Sequence, residues 1–276
     1  MSILYYFSAY ACMLKVCYLF LIIYKNSPSR MDFNMKKIAV FYHVWAPEHS
    51  SAWCLLVDEQ IKNLIQSNLR YNAKIFCCIN SKQANTIKKY IEQYDFIEIL
   101  EYSEDERQYE AFTLKHLYHL CKTNEDYDHV LYFHTKGIRH FSHTAELDVI
   151  KNVNSWRRFL EYGTITKWRE CIAMLQAHDV AGINFHLHPR KHFQGNFWWA
   201  TSQYIKTLES PLSNKFADES FCHPNAIDRV SCEMWIGSGN PKWFSIYNYP
   251  FGTGNDSDNF DLYNNDIFPY FLNNSY

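Results

Sequence analysis

The sequence has no Gly-rich phosphate loop, no G-x-S-x-G, no H-E-x-x-H and no G-x-G-x-x-G. These absences remove the phosphate cradle of P-loop enzymes, the nucleophile turn of α/β-hydrolases, the zinc helix of metalloproteases and the dinucleotide turn of Rossmann dehydrogenases. Charge of one sign is lacking too: 27 basic residues against 29 acidic ones leave a formal net charge of -2, so no global field recruits nucleic acid, and none is expected as a partner. The nine cysteines include no C-x-x-C pair and make an odd total, which argues for reduced thiols and a cytoplasmic setting. Beyond Lys242 there is no basic residue at all, while Asn, Tyr, Phe and Asp abound, so 250–276 is expected to be a loose tail or flap.

What the chain has in quantity is aromatic surface, 18% of its residues, more than a core needs and suited to stacking on rings such as sugars or bases. Its 276 residues have room for one domain of ordinary α/β size. The apolar stretch from Ile3 to Tyr24 is about the length that spans a bilayer, although Lys15 near its middle would be costly there. Lys25, Arg30, Lys36 and Lys37 all follow it, so if it spans, the main domain stays on the cytoplasmic side. Met35 opens what reads as the natural start of a first strand, and 1–34 stands open as membrane anchor or dispensable extension.

From there strand and helix patterns alternate. IAVFYHVW (38–45), KIFCCIN (74–80), FIEIL (96–100) and HVLYFH (129–134) read as strands, the first and last of them as buried ones. Val57, Ile61, Leu64 and Ile65 mark a first helix, 83–93 a second, and Leu114, Leu117, Tyr118 and Cys121 one face of a third. This order predicts right-handed crossovers and a mostly parallel, doubly wound, Rossmann-like sheet in a domain over 35–249. A long helix is expected over 155–177, strands at 179–186 and 195–201, a short helix at YIKTL, and a strand or strand end at 233–238. Ligands of such sheets bind at the carboxyl ends of the strands, which here carry Tyr42, His43, Asn80, His134, Thr135 and Lys136.

Three ordered motifs add a resemblance. Tyr132 to Gly137 (YFHTKG), Gly195 to Ala200 (GNFWWA), and Glu233 with Trp235 to Gly237 (E-x-W-I-G) resemble a group of GT-A type glycosyltransferases found among enzymes of surface polysaccharide assembly, over about residues 36–245. The resemblance implies a nucleotide-sugar donor, a glycan acceptor and transfer with inversion. It also implies donor contacts from Tyr42, His43, Asn80, Glu110, Thr135, Arg139 and Arg157, with Thr113 on the same bordering helix as Glu110. GT-A enzymes usually close this strand with Asp-x-Asp, which holds manganese or magnesium against the diphosphate, and His134-Thr135-Lys136 stands in its place. Lys136, supported by Arg139 or Arg157 and next to His134, can stabilise the departing diphosphate as a metal would. Asp126-Tyr-Asp128 lies at the other end of the strand and Asp256-Ser-Asp258 in the tail, so neither is assigned a metal.

Glu233 is the candidate base that takes the acceptor's proton, or else a charge paired with Arg229. Asn196, Trp198, Trp199 and Trp235 are candidates for a sugar platform; alternation along a strand points Trp198 and Trp199 to opposite sides, so one of the two belongs to the core. Lys136, Arg139 and His134 equally fit solvated loop cations and a hydrogen-bonded strand end. Two other functions compete: a glycan-binding module without catalysis, and a zinc hydrolase built on His186, His188 and His192.

Overall fold

The computed structural model describes residues 37–141, 147–188, 190–213 and 229–246, the side chains of Arg229 and Val230 excepted. The expected anchor or extension at 1–34 and the tail at 250–276, with its Asp-x-Asp, lie outside the described residues. The described part belongs to a compact unit that begins at Lys37.

Four strands form the regular half of one seven-stranded sheet: β1 (Ile38–Val44), β2 (Ala73–Asn80), β3 (Ile97–Ser103) and β4 (His129–His134), in the order β3-β2-β1-β4 and all parallel. Every residue of β1 is buried, because parallel strands with helices on both faces have no solvent side. The period of two sorts its side chains, Val40, Tyr42 and Val44 into one core and Ala39 and Phe41 into the other. The first core takes Leu56, Val57, Ile61 and Leu64 from helix α1 (Trp53–Gln66) and Ile87 and Ile91 from α2 (Ala84–Ile91). The second takes Ala111, Leu114, Leu117 and Cys121 from α3 (Ala111–Thr123), successive steps of three, three and four that make one stripe of a helix lying on a sheet.

The sheet continues through two helices where one long helix was expected. α4 (Leu147–Glu161) and α5 (Trp168–Met174) are separated by a wider π turn at Tyr162–Thr166. The reason is packing: a Cβ on Gly163 would lie 2.1 Å from Ile183 Cδ1, and the Thr164 carbonyl accepts from Trp199 Nε1 at 2.7 Å. The widened turn lets the backbone meet both the indole and the isoleucine.

β5 (Val180–Gly182), β8 (Trp198–Thr201) and β9 (Trp243–Ser245) complete the order as β4-β8-β5-β9, with β8 antiparallel to both neighbours. The expected strand over 179–186 is split, since Phe185–His186 (β6) leaves the sheet to pair with His192–Phe193 (β7) in a separate ribbon. α6 (Ser202–Thr207) forms as expected, with the Thr201 side chain accepting from the Tyr204 N–H at its start. At 233–238 the expected strand is helical instead: α7 (Arg229–Met234) runs into a 3-10 turn at Trp235–Gly237. Cys232, Trp235 and Ile236, at i, i+3 and i+4, are among the residues it buries.

Candidate functional site at the carboxyl edge of the sheet

Strands β1 and β4 end side by side, with His43 opposite His134 in register. Thr135 ties the two ends together: its hydroxyl donates to the Trp45 carbonyl at 2.7 Å and accepts from the Trp45 N–H at 3.0 Å. At Gly137, just beyond Lys136, the backbone turns left-handed with φ 83°, and a Cβ there would meet Val153 Cγ1 at 2.2 Å. Opposite it, Gly195 and Asn196 also take positive φ, 75° and 57°. That turn aims the Gly195 carbonyl at His134, whose Nε2 donates to it at 3.0 Å. The YFHTKG and GNFWWA motifs, 61 residues apart at this bond, therefore meet in space.

Their meeting point is Glu110, which stands just before the first residue of α3 and is 6% exposed. Its Oε2 accepts from the Tyr132 hydroxyl at 3.0 Å and from the Asn196 amide, whose own oxygen accepts from Trp198 Nε1 at 2.7 Å. His134 Nε2 stands 3.9 Å from Oε1. Burial and then the Glu110 charge push the Tyr132 phenol well above its ordinary range. His43 is buried as well, bonded through Nδ1 to the Thr113 hydroxyl at 2.7 Å. Its pKa is pulled down to about 4, chiefly by burial, with Glu110 opposing and His134 adding to the shift. The cluster thus holds a neutral imidazole beside a carboxylate.

Lys136 lies partly exposed at the rim, its ammonium 4.1 Å from the centroid of the Trp156 ring. Arg139 follows on the 3-10 turn Ile138–His140, exposed, with Nε donating to His140 Nε2 at 3.0 Å. Asn80, at the end of β2, is 1% exposed and donates from Nδ2 to the Tyr109 carbonyl at 3.4 Å. Tyr109 has φ 46°, a costly backbone for a bulky residue, and is 47% exposed beside this edge. Trp45, whose Nε1 donates to Glu106 at 2.7 Å, adds another ring. Sequence reading passed over Trp45, Trp156 and Tyr109; an aromatic residue just past a strand end was the signal for Trp45.

Other candidates stand elsewhere. Tyr42 is fully buried, stacked on Phe133 at 4.5 Å with its hydroxyl on Gln60, so it offers no ring to a nucleotide. Arg157, 1% exposed, is spent inside the protein: it pairs with Glu161 at 2.6 Å and Glu59 at 2.7 Å. Where an indole platform was expected, Trp198, Trp199 and Trp235 are all fully buried, the first two in opposite cores as alternation requires. Both belong to the core rather than one. Glu233 lies partly exposed on α7.

The ligand sets weighed for metals do not assemble. Asp126 pairs with Lys37 at the far end of β4. His186 and His192 stack across the β6–β7 ribbon with ring centroids 5.2 Å apart. Among the described residues no group of three or more His, Cys, Asp and Glu is placed to hold a metal ion, and no helix is long and apolar enough to cross a membrane.

The fold and this edge define an α/β domain whose polar side chains gather where doubly wound sheets receive their ligands. The chain belongs to the family described as a domain of unknown function (DUF8361), whose model matches residues 41–241. A comparison with curated proteins finds no match. Among solved structures the chain is similar to the 4-diphosphocytidyl-2C-methyl-D-erythritol synthase of Anaerococcus prevotii, at 11% identity and a TM-score of 0.40, over 84% of this chain and 98% of that one.

Proposed function

We propose that this protein is a glycosyltransferase that moves a sugar from a nucleoside-diphosphate donor to a hydroxyl of a glycan acceptor, with inversion, in the making of a surface polysaccharide. The observation that carries the reading is the convergence of the first two motifs on one buried carboxylate: His134 reaches Gly195, and Tyr132 and Asn196 both reach Glu110. Lys136 stands at the rim of the same cluster, where a cation can take up charge developing on a departing diphosphate. Arg139 supports it, and Glu233 keeps the part of the acceptor-side base.

The competing readings are less well supported. A glycan-binding module would stack sugar on the paired indoles, and both are sealed in the core. A zinc hydrolase needs three ligands converging on one point, and the histidines of 186–192 supply a stacked pair.

Calorimetric titration of the full chain with UDP, GDP and TDP, each with manganese and with a chelator, tests the proposal. Binding of one nucleotide that survives chelation is the expected result and identifies the base. Absence of binding in every titration overturns the transferase reading.

A further inference from the structure

Glu110 is a buried carboxylate with a half-used hydrogen-bonding capacity. Its Oε2 takes two donors, the Tyr132 hydroxyl and the Asn196 amide. Its Oε1 takes none among the described residues: His134 Nε2 faces it from 3.9 Å, beyond hydrogen-bond reach, and gives its proton to the Gly195 carbonyl. Nor does a Lys or Arg among the described residues pair with it; His134 is the partner the geometry provides. Oε1 is not one of the sealed polar atoms left without a partner, so the 6% of Glu110 that stays exposed includes this oxygen. A carboxylate oxygen can only accept, so this one is open to a donor from outside the protein.

We infer that Oε1 of Glu110 receives a hydroxyl or ammonium group of the bound sugar, so that the site takes neutral and amino sugars and rejects sugars carrying a carboxylate at that position. This rests on the transferase reading for the presence of a sugar at this edge. The rejection follows from the same atom: a second carboxylate brought against Oε1 would put two acceptor-only charges together in a place with little water to separate them. Tyr132, Asn196 and the left-handed turn at Gly195 are positioning residues, since they fix the carboxyl plane and leave one oxygen facing outward.

Saturation-transfer NMR on the full chain, with glucose, glucosamine and glucuronate as probes in the presence and absence of UDP, GDP and TDP, tests the inference on the wild type, Glu110→Gln and Lys74→Ala. In Glu110→Gln the amide oxygen can keep Tyr132 and Asn196, which places the NH2 where Oε1 was and turns an acceptor into a donor. The wild type is expected to favour glucosamine and glucose over glucuronate. Glu110→Gln is expected to weaken glucosamine by about tenfold and to raise glucuronate, whereas Lys74→Ala, in an exposed ion pair away from the site, keeps the wild-type order. If Glu110→Gln does not fold, the wild-type order decides alone.

Equal binding of glucuronate and glucosamine by the wild type, an order unmoved in a folded Glu110→Gln, or no sugar binding at all overturns the inference. Calorimetry with UDP, GDP and TDP on the same samples separates the two claims. Nucleotide binding with an unmoved sugar order leaves the transferase reading and removes this one; a Glu110-dependent sugar order without nucleotide binding does the reverse.

Discussion

Two buried carboxylates of this protein, Glu161 and Glu110, are 1% and 6% exposed, yet they are treated in opposite ways. Both oxygens of Glu161 are spent: Oε1 takes Arg157 at 2.6 Å and Gln60 at 2.8 Å, and Oε2 takes Asn63 at 2.8 Å. Gln60 carries the network on to the Tyr42 hydroxyl and the His134 carbonyl. Among the described residues no guanidinium pairs with Glu110, and its Oε1 has only His134 Nε2 near it, at 3.9 Å. The first cluster staples α1, α4 and β1 together; the second leaves a bond to be made. A buried cation such as Arg157 therefore serves the fold, while the acid at the start of α3 is the better mark of a ligand site.

The largest test of this contrast is to break the sealed side. Arg157→Ala leaves Glu161 buried without its cation and is expected to cost roughly 3–5 kcal/mol in urea unfolding, while the folded fraction binds nucleotide as the wild type does. A stable variant that has lost binding would return Arg157 to the ligand site.

The pH dependence of stability comes next. His43 titrates at about 4 in the folded protein against 6.5 when unfolded, so between these values the unfolded chain holds more protons. Stability is fully present above pH 6.5 and falls as pH drops towards 4, by up to about 3 kcal/mol from this group. His43→Gln should flatten that part of a stability profile; an unchanged slope contradicts the burial of a neutral imidazole.

A smaller effect is expected from Tyr132→Phe, which removes one of two donors to Glu110 and costs about 2 kcal/mol of unfolding free energy. The control is Lys74→Ala. Lys74 pairs with Glu98 at 2.7 Å, with side chains 48% and 49% exposed, and its loss should shift stability by no more than about 1 kcal/mol.

The regular half of the fold was legible because β1, β2 and β4 are near-continuous apolar runs; β4 over His129–His134 falls on its expected limits, while the edge strand β3, only partly buried, runs on to Ser103 past the expected 96–100. The second half was harder to read, for local reasons. The apolar spacing of Ile165, Trp168, Ile172 and Leu175 suits one helix, and nothing in it announces that Gly163 must press on Ile183. At 233–238 the composition suggested a strand, yet Cys232, Trp235 and Ile236 already had helical spacing. Of the site, the strand ends placed His43, His134 and Lys136 at one edge. The pairing of Glu110 with Tyr132 and Asn196 spans 22 and 86 residues, and no local pattern encodes contacts at such separations. The burial of all three tryptophans was hidden for a related reason, since an indole that stacks on sugar and one that fills a core have the same sequence signature.

The most direct measurement is calorimetric titration of the full chain with UDP, GDP and TDP, comparing the wild type with Lys136→Ala and Lys74→Ala. The account predicts that one nucleotide binds the wild type and Lys74→Ala alike, and binds Lys136→Ala at least about tenfold more weakly, as loss of a charge-assisted contact would give. Equal affinity in all three proteins, or no binding in any, would contradict a ligand site at the carboxyl edge built around Glu110 and Lys136.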